Sequence, residues 1–120
     1  MSTILLVADS DKLIDSVHAA LSGPDTTLID ERNPDIAAEV AYEAAVDAVV
    51  VDIRIGSMGG VAVTHAVRNA GTNDRRIPVT ILLDRDADAF LAKRSGAASW
   101  VLKSAGTSEL RRAVVSEALE

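Results

Sequence analysis

The stretch "DAVVVDIRIGSMGG", Asp47 to Gly60, settles the architecture. Its centre, Ala48 to Val51, is apolar at every position. A strand with one face in water alternates polar and apolar side chains, so this run reads as a strand covered on both faces, in the middle of a sheet. It ends on a carboxylate, Asp52, and a glycine-containing turn. Val63, Ala66, Val67 and Ala70 then trace the inner face of a helix ending at Gly71. A doubly covered strand followed by a helix is the unit from which parallel sheets are built.

The same unit recurs on either side. "TILLVA" (Thr3 to Ala8) reads as a strand, followed by Leu13, Ile14, Val17 and Leu21 at helical spacing and a stop at Gly23-Pro24. "TTLID" (Thr26 to Asp30) is a second strand. Asn33-Pro34 then opens a helix with a cap and a first-turn proline, its inner stripe expected to be Ile36, Val40 and Ala44. "PVTILL" (Pro78 to Leu83) predicts a fourth strand, with a helix from Asp86 to Arg94 that carries Phe90 and Leu91. "SWVL" (Ser99 to Leu102) predicts a fifth, before a last helix from Thr107 with Leu110, Val114 and Leu119 inward. "NAGTNDRR" (Asn69 to Arg76) reads as a surface loop. Short connections and right-handed crossovers then predict a three-layer α/β sandwich, a parallel sheet with helices on both faces.

Composition bounds the function. At 120 residues the chain is expected to form one domain with a core of its own. No apolar run approaches the roughly 18 residues of a membrane span, and "MSTILLVADS" lacks the charged start and apolar core of a signal peptide. The absence of cysteine removes disulfides and thiolate metal sites, and a cytoplasmic location is expected. A formal charge of −6 opposes binding to a phosphate backbone, and Tyr42, Phe90 and Trp100 are too few for a base-stacking platform. Nucleic acid and membrane partners are therefore not expected.

In parallel α/β sheets, ligands bind at the carboxyl ends of the strands. The residues leaving the strands are Asp9, Asp30-Glu31, Asp52, Asp84 and Lys103. Any one of them alone is an ordinary cap or loop residue. If the first and third strands are neighbours, however, Asp9 and Asp52 converge, and two charges about 4 Å apart interact by roughly 4 kcal/mol at an effective dielectric near 20. A hard divalent cation relieves that repulsion. Oxygen ligands without His or Cys favour Mg²⁺. His18 and His65 fall within helices without metal-site or triad spacing, Tyr42 and Met58 read as packing residues, and the arginines of the second half read as solvated helix and loop faces.

Four pieces in order, "ILLVADSD" (Ile4 to Asp11), "DAVVVDIRIGSMGG", "IPVTILL" (Ile77 to Leu83) and "GAASWVLKS" (Gly96 to Ser104), resemble the receiver domains of two-component response regulators. The resemblance spans essentially all 120 residues and implies a single receiver domain with no output domain. It implies the flavodoxin-like sheet order 2-1-3-4-5 with five helices. It further implies that Asp52 is the phosphoacceptor, supplied by a histidine kinase or a small phosphodonor, that Lys103 pairs with the phosphoryl oxygens, and that Mg²⁺ is held by Asp9, Asp52 and the backbone carbonyl of Arg54. Asp11 is a further metal candidate. Any enzymatic activity would be limited to self-phosphotransfer and autodephosphorylation on Asp52. A downstream protein would dock on the face of the fourth helix, fifth strand and fifth helix.

The chain also departs from the family pattern. Ala8 stands where a second acid usually precedes Asp9, and Leu83 stands where a Thr or Ser hydroxyl binds the phosphoryl group. Asp84, in place of a small residue, either adds a repelling charge or joins the cation's ligands. Trp100 occupies the position of a rotating aromatic, with wedging between the last helix and the sheet as the alternative. Ser104 replaces a proline that often follows a cis bond, which puts the aim of Lys103 in question. Gly56 replaces another proline, so the loop after Asp52 is expected to move freely. Three readings are open: a stand-alone phosphorylation switch on Asp52, a phosphorylation-independent pseudo-receiver that binds proteins, and a Mg²⁺-dependent phosphohydrolase. The last lacks a second acid two residues past Asp52, where Arg54 stands.

Overall fold

Strands β1 (Ser2–Val7), β2 (Thr26–Glu31), β3 (Ala48–Asp52), β4 (Val79–Leu83) and β5 (Ser99–Leu102) form one sheet in the order β2-β1-β3-β4-β5. All four pairings are parallel. The computed structural model describes residues 2–56, 58–71 and 75–119, with side chains in the last helix described through Val115. The flavodoxin-like order expected from the resemblance is the observed one. Every residue of β3 and β4 is buried, as strands covered on both faces require, and the Thr80 hydroxyl of β4 is paired with the Ser99 hydroxyl at 2.7 Å.

Five helices cover the sheet: α1 (Asp11–Leu21), α2 (Ala37–Glu43), α3 (Gly60–Ala70), α4 (Ala89–Ser95) and α5 (Thr107–Leu119). Because successive strand residues point to opposite faces, the sheet divides its apolar side chains into two cores. Leu5, Val7, Val49, Val51, Ile81 and Leu83 pack with residues of α2, α3 and α4. Ile4, Leu6, Ala48, Val50 and Leu82 pack with α1 and with Val114 of α5. Full burial of each Leu, Ile or Val side chain is worth about 1.5–3 kcal/mol, so the two cores together hold the three layers in place.

Several helix faces differ from the sequence reading. Asn33 does cap, its side chain accepting the Asp35 N–H at 3.0 Å, but the turn it opens is a 3₁₀ segment, Pro34–Ile36. Three residues per turn shift the phase of the adjoining helix, so α2 buries Ala37 and Ala41 while Ile36 and Ala44 face outward. The small alanines let α2 lie close to the sheet. In α3 the buried line is Val63, Thr64 and Val67, with Ala70 exposed; the Thr64 hydroxyl is satisfied by donating to the Gly60 carbonyl at 2.8 Å. Phe90 and Leu91 point to solvent, 61% and 47% exposed, and α4 instead buries Ala92 and Ser95. Of the loop read at Asn69 to Arg76, the first two residues complete α3, and residues 72–74 lie outside the described part, as does the side chain of Leu119.

Tyr42 does pack, and it also bridges. Its hydroxyl donates to the Val67 carbonyl at 3.0 Å and accepts from the Ile77 N–H at 3.4 Å, joining α2 to α3 and to the approach of β4.

Candidate functional site

Asp52 is the last residue of β3, beside Leu82 of β4, and is 5% exposed. The chain behind it is tightly held. Ile53 N–H donates to the Leu82 carbonyl at 3.1 Å, and Ile55 N–H donates to the Asp52 carbonyl at 3.1 Å, closing a turn whose last side chain, Ile55, is fully buried. Gly59 and Gly60 N–H groups return to the Ile55 and Ile53 carbonyls at 2.8 and 2.9 Å. A Cβ on Gly60 would lie 2.7 Å from the Asp52 carbonyl oxygen, so glycine here permits close approach of α3 to the end of β3. The loop expected to move freely is thus pinned at its described residues. Gly56 spends its freedom on a positive φ of 50°, with its N–H donated to Asp9 Oδ2 at 3.1 Å.

Three charged residues close a ring through Asp52. Lys103 Nζ lies 2.6 Å from Asp52 Oδ1 and 2.9 Å from Asp84 Oδ1. Asp84 Oδ2 takes the Nε–H of Arg54. The backbone N–H of Arg54 returns to Asp52 Oδ1 at 2.9 Å. Asp84 therefore neither stands as an unscreened repulsion nor turns to the Asp9 side; both of its oxygens are held by cations. The Lys103 hydrogen bond, outweighing burial and joined by the charge of Arg54, keeps the Asp84 carboxyl below the usual range. Burial works against the Lys103 ammonium, but its bonds to Asp52 and Asp84 prevail and raise it above the ordinary lysine value.

The aim of Lys103 does not depend on a cis bond. Among the described residues none is cis, and the chain turns through Leu102–Ala105 with the Ala105 N–H on the Leu102 carbonyl at 2.9 Å. The backbone N–H of Lys103 donates to the Leu83 carbonyl at 2.8 Å, which extends the β4–β5 ladder by one residue and sends the side chain over the strand ends toward Asp52. A cavity of about 330 Å³ lined by Ser10, Lys12, Leu13, Ser16, Asp52 and Lys103 opens onto Asp52 from the α1 side.

The β1 side is sparser. Ala8 is fully buried against α1, and Asp9 is exposed, its carboxylate oriented by Gly56. Asp11 is turned outward to Arg32, whose guanidinium also donates to the Asp9 carbonyl at 3.2 Å. Among the described residues no three His, Cys, Asp or Glu side chains gather into a metal cluster. The donors whose chemistry suits a hard ion are the carboxylates of Asp9, exposed, and Asp52, nearly buried, and Mg²⁺ keeps most of its waters and takes one or two carboxylates.

Leu83 is 2% exposed and belongs to the core under α3 and α4, so the position expected to present a hydroxyl presents packing instead. Trp100 is 36% exposed on the sheet face shared with Ile81, opposite the face that α5 covers, so it is not wedged between the last helix and the sheet. Met58 packs on the core, and His65 is exposed on α3. His18 is a helix-face residue as expected, paired with Asp30 at 2.7 Å. The side chain of Arg54 was not among the candidates; its signal is an arginine at the end of β3 opposite an aspartate at the end of β4, visible only once those strands are known to be neighbours.

The family profile of the response regulator receiver domain matches residues 4–115. No curated protein matches the chain. Among solved structures it is similar to a response regulator structure from Chloroflexus aurantiacus J-10-fl at 19% identity and a TM-score of 0.88, covering 99% of this chain and 98% of that one. The signal receiver domain of NarL from Mycobacterium tuberculosis is 23% identical with a TM-score of 0.77, covering 98% and 96%. The BeF3-activated N-terminal receiver domain of Klebsiella pneumoniae RstA is 25% identical with a TM-score of 0.77, covering 90% and 91%.

Proposed function

This chain belongs to the response regulator receiver domain family, and on that basis we propose that it works in phosphorelay signalling as a switch that accepts a phosphoryl group on Asp52. The observation that carries the reading is the contact between Asp52 and Lys103, a nearly buried carboxylate with an ammonium 2.6 Å away. In the transfer, one Asp52 oxygen bonds phosphorus as the phosphorus–donor bond breaks, and the leaving group departs with that electron pair. Lys103 would pair with the negative charge on the transferring group, and the cavity beside α1 supports entry of a phosphohistidine or small acyl phosphate. Asp9, Asp52 and the Arg54 carbonyl would hold Mg²⁺, with Asp11 left to Arg32. That ion, when bound, supplies positive charge against the phosphoryl oxygens.

The signal would leave through α4, β5 and α5 to a downstream protein. Support for this face comes from Phe90, Leu91 and Trp100, all exposed, with Arg94 stacked 5.4 Å from the Phe90 ring centroid. A phosphorylation-independent pseudo-receiver is the second reading, favoured by a Lys103 already shared with Asp84. The test is intact mass after acetyl phosphate and Mg²⁺. A phosphoryl adduct on the wild type that is absent from Asp52→Asn supports the switch; no adduct on either, with kinase partners also tried, leaves the pseudo-receiver. Turnover of a phosphoester in the same assay would revive the phosphohydrolase.

A further inference from the structure

The closed ring leaves neither of its cations idle: Lys103 divides its protons between Asp52 Oδ1 and Asp84 Oδ1, and Arg54 gives Nε–H to Asp84 Oδ2. We propose that Asp84 is an internal counter-anion that holds Lys103 until a phosphoryl group reaches Asp52, and that it is then handed over to Arg54. Phosphorylation of this chain is on that account an anion exchange. The inference rests on Asp52 being the phosphoacceptor.

The supply of donors favours the exchange. A phosphoryl group brings three oxygens that need partners, and Leu83, buried in the core, offers none. Lys103 is the ammonium at hand, but of its three N–H donors one goes to Asp52 and one to Asp84, which leaves a single donor for the incoming oxygens. When an Asp52 oxygen bonds phosphorus and the donor's oxygen or, from a phosphohistidine, its ring nitrogen leaves with the electron pair, the added negative charge repels Asp84 and competes with it for the same ammonium. Arg54 is the place for Asp84 to go. Its guanidinium already holds Oδ2 and has further N–H groups for Oδ1, the bidentate arrangement that arginine favours with carboxylates. Since Asp84 is the first residue after β4, the exchange also displaces the start of the connection to α4 and its exposed Phe90. Asp84 thus retards the transfer and moves because of it, and Arg54 is a positioning residue acting through Asp84.

The test compares rates of adduct formation with acetyl phosphate and Mg²⁺, by intact mass, in wild type, Asp84→Asn, Arg54→Gln and the double variant. Asp84→Asn is expected to gain about tenfold in rate, the scale of one like charge removed beside a transferring anion. Asp84→Ser, smaller and equally uncharged, should gain similarly and guards against an effect peculiar to the amide. Arg54→Gln should be several-fold slower, because Asp84 then has only Lys103, and that slowing should vanish in the double variant. Equal rates in wild type, Asp84→Asn and Asp84→Ser overturn the counter-anion while leaving the phosphoacceptor intact. A slowing by Arg54→Gln that persists without Asp84 overturns the exchange, since Arg54 would then act on the phosphoryl group itself. If no variant gains an adduct that Asp52→Asn removes, the phosphoacceptor reading fails and the inference with it.

Discussion

The two sides of Asp52 are built on opposite plans. Toward β1 the site is depleted: Ala8 is buried where a second carboxylate would face the pocket, Asp9 is exposed with the Gly56 N–H on its carboxylate, and Asp11 is drawn away by Arg32. Toward β4 and β5 it is crowded, with Lys103, Asp84 and Arg54 closing a ring through Asp52. The Asp52 carboxylate is common to both sides, yet the side that would hold a cation is short of anions and the side that would hold an anion already contains one. Keeping a carboxylate at the strand end is therefore a different matter from keeping the charge balance around it.

The largest effect expected from disturbing this asymmetry is on the crowded side. Lys103→Met leaves a nearly buried Asp52 facing Asp84 without the shared ammonium, and should abolish the acetyl phosphate adduct. It should also cost about 2–3 kcal/mol of stability, the order of an uncompensated buried charged partner, read from urea denaturation. A variant as stable as wild type would mean that the ring contributes nothing to the fold. On the depleted side, Ala8→Asp returns a second carboxylate next to Asp9 and should tighten Mg²⁺ binding about tenfold by calorimetry, at a stability cost of roughly 1–3 kcal/mol for a carboxylate at a fully buried position. Unchanged affinity would show that charge is not what this side lacks.

The smallest effect is on pH dependence. The Asp84 carboxyl is held below its unfolded value, so it contributes stability that is complete above about pH 3.9 and lost as pH falls further through the folded value. The Lys103 ammonium is raised, so its contribution is complete below about pH 10.4 and lost as pH rises beyond. The difference in melting temperature between wild type and Asp84→Asn should accordingly be flat between those limits and shrink at both ends. A difference that changed steadily near neutrality would point to another titrating group.

Much of this was legible in the chain. The unbroken apolar run of β3 announces a strand covered on both faces, and β5 and the start of α5 fall where the pattern placed them. Asp52, Asp9 and Lys103 could be picked out because each lies where a strand identified by the pattern ends. The inner faces of α2, apart from Val40, and of α4 could not. A 3₁₀ turn at Pro34 rotates the first, and the second buries only small residues while presenting Phe90 and Leu91 to solvent. Hydrophobicity along a chain cannot report either, because it carries no measure of winding or of how near the neighbouring layer lies.

The order of residues was enough for the local features: which segments are strands and helices, their parallel arrangement, and which charged residues leave the strand ends. The partnership of Arg54 with Asp84 across the ends of β3 and β4, the sharing of Lys103 between two carboxylates, and the capture of Asp11 by Arg32 arose only in three dimensions. The reason is the reach of the forces. Burial and backbone hydrogen bonding repeat with the period of the element and so imprint themselves on neighbouring residues, whereas an ion pair depends on a few ångströms between side chains that sequence separates by 19 to 51 positions in this site, from Asp84 to Lys103 and from Asp52 to Lys103.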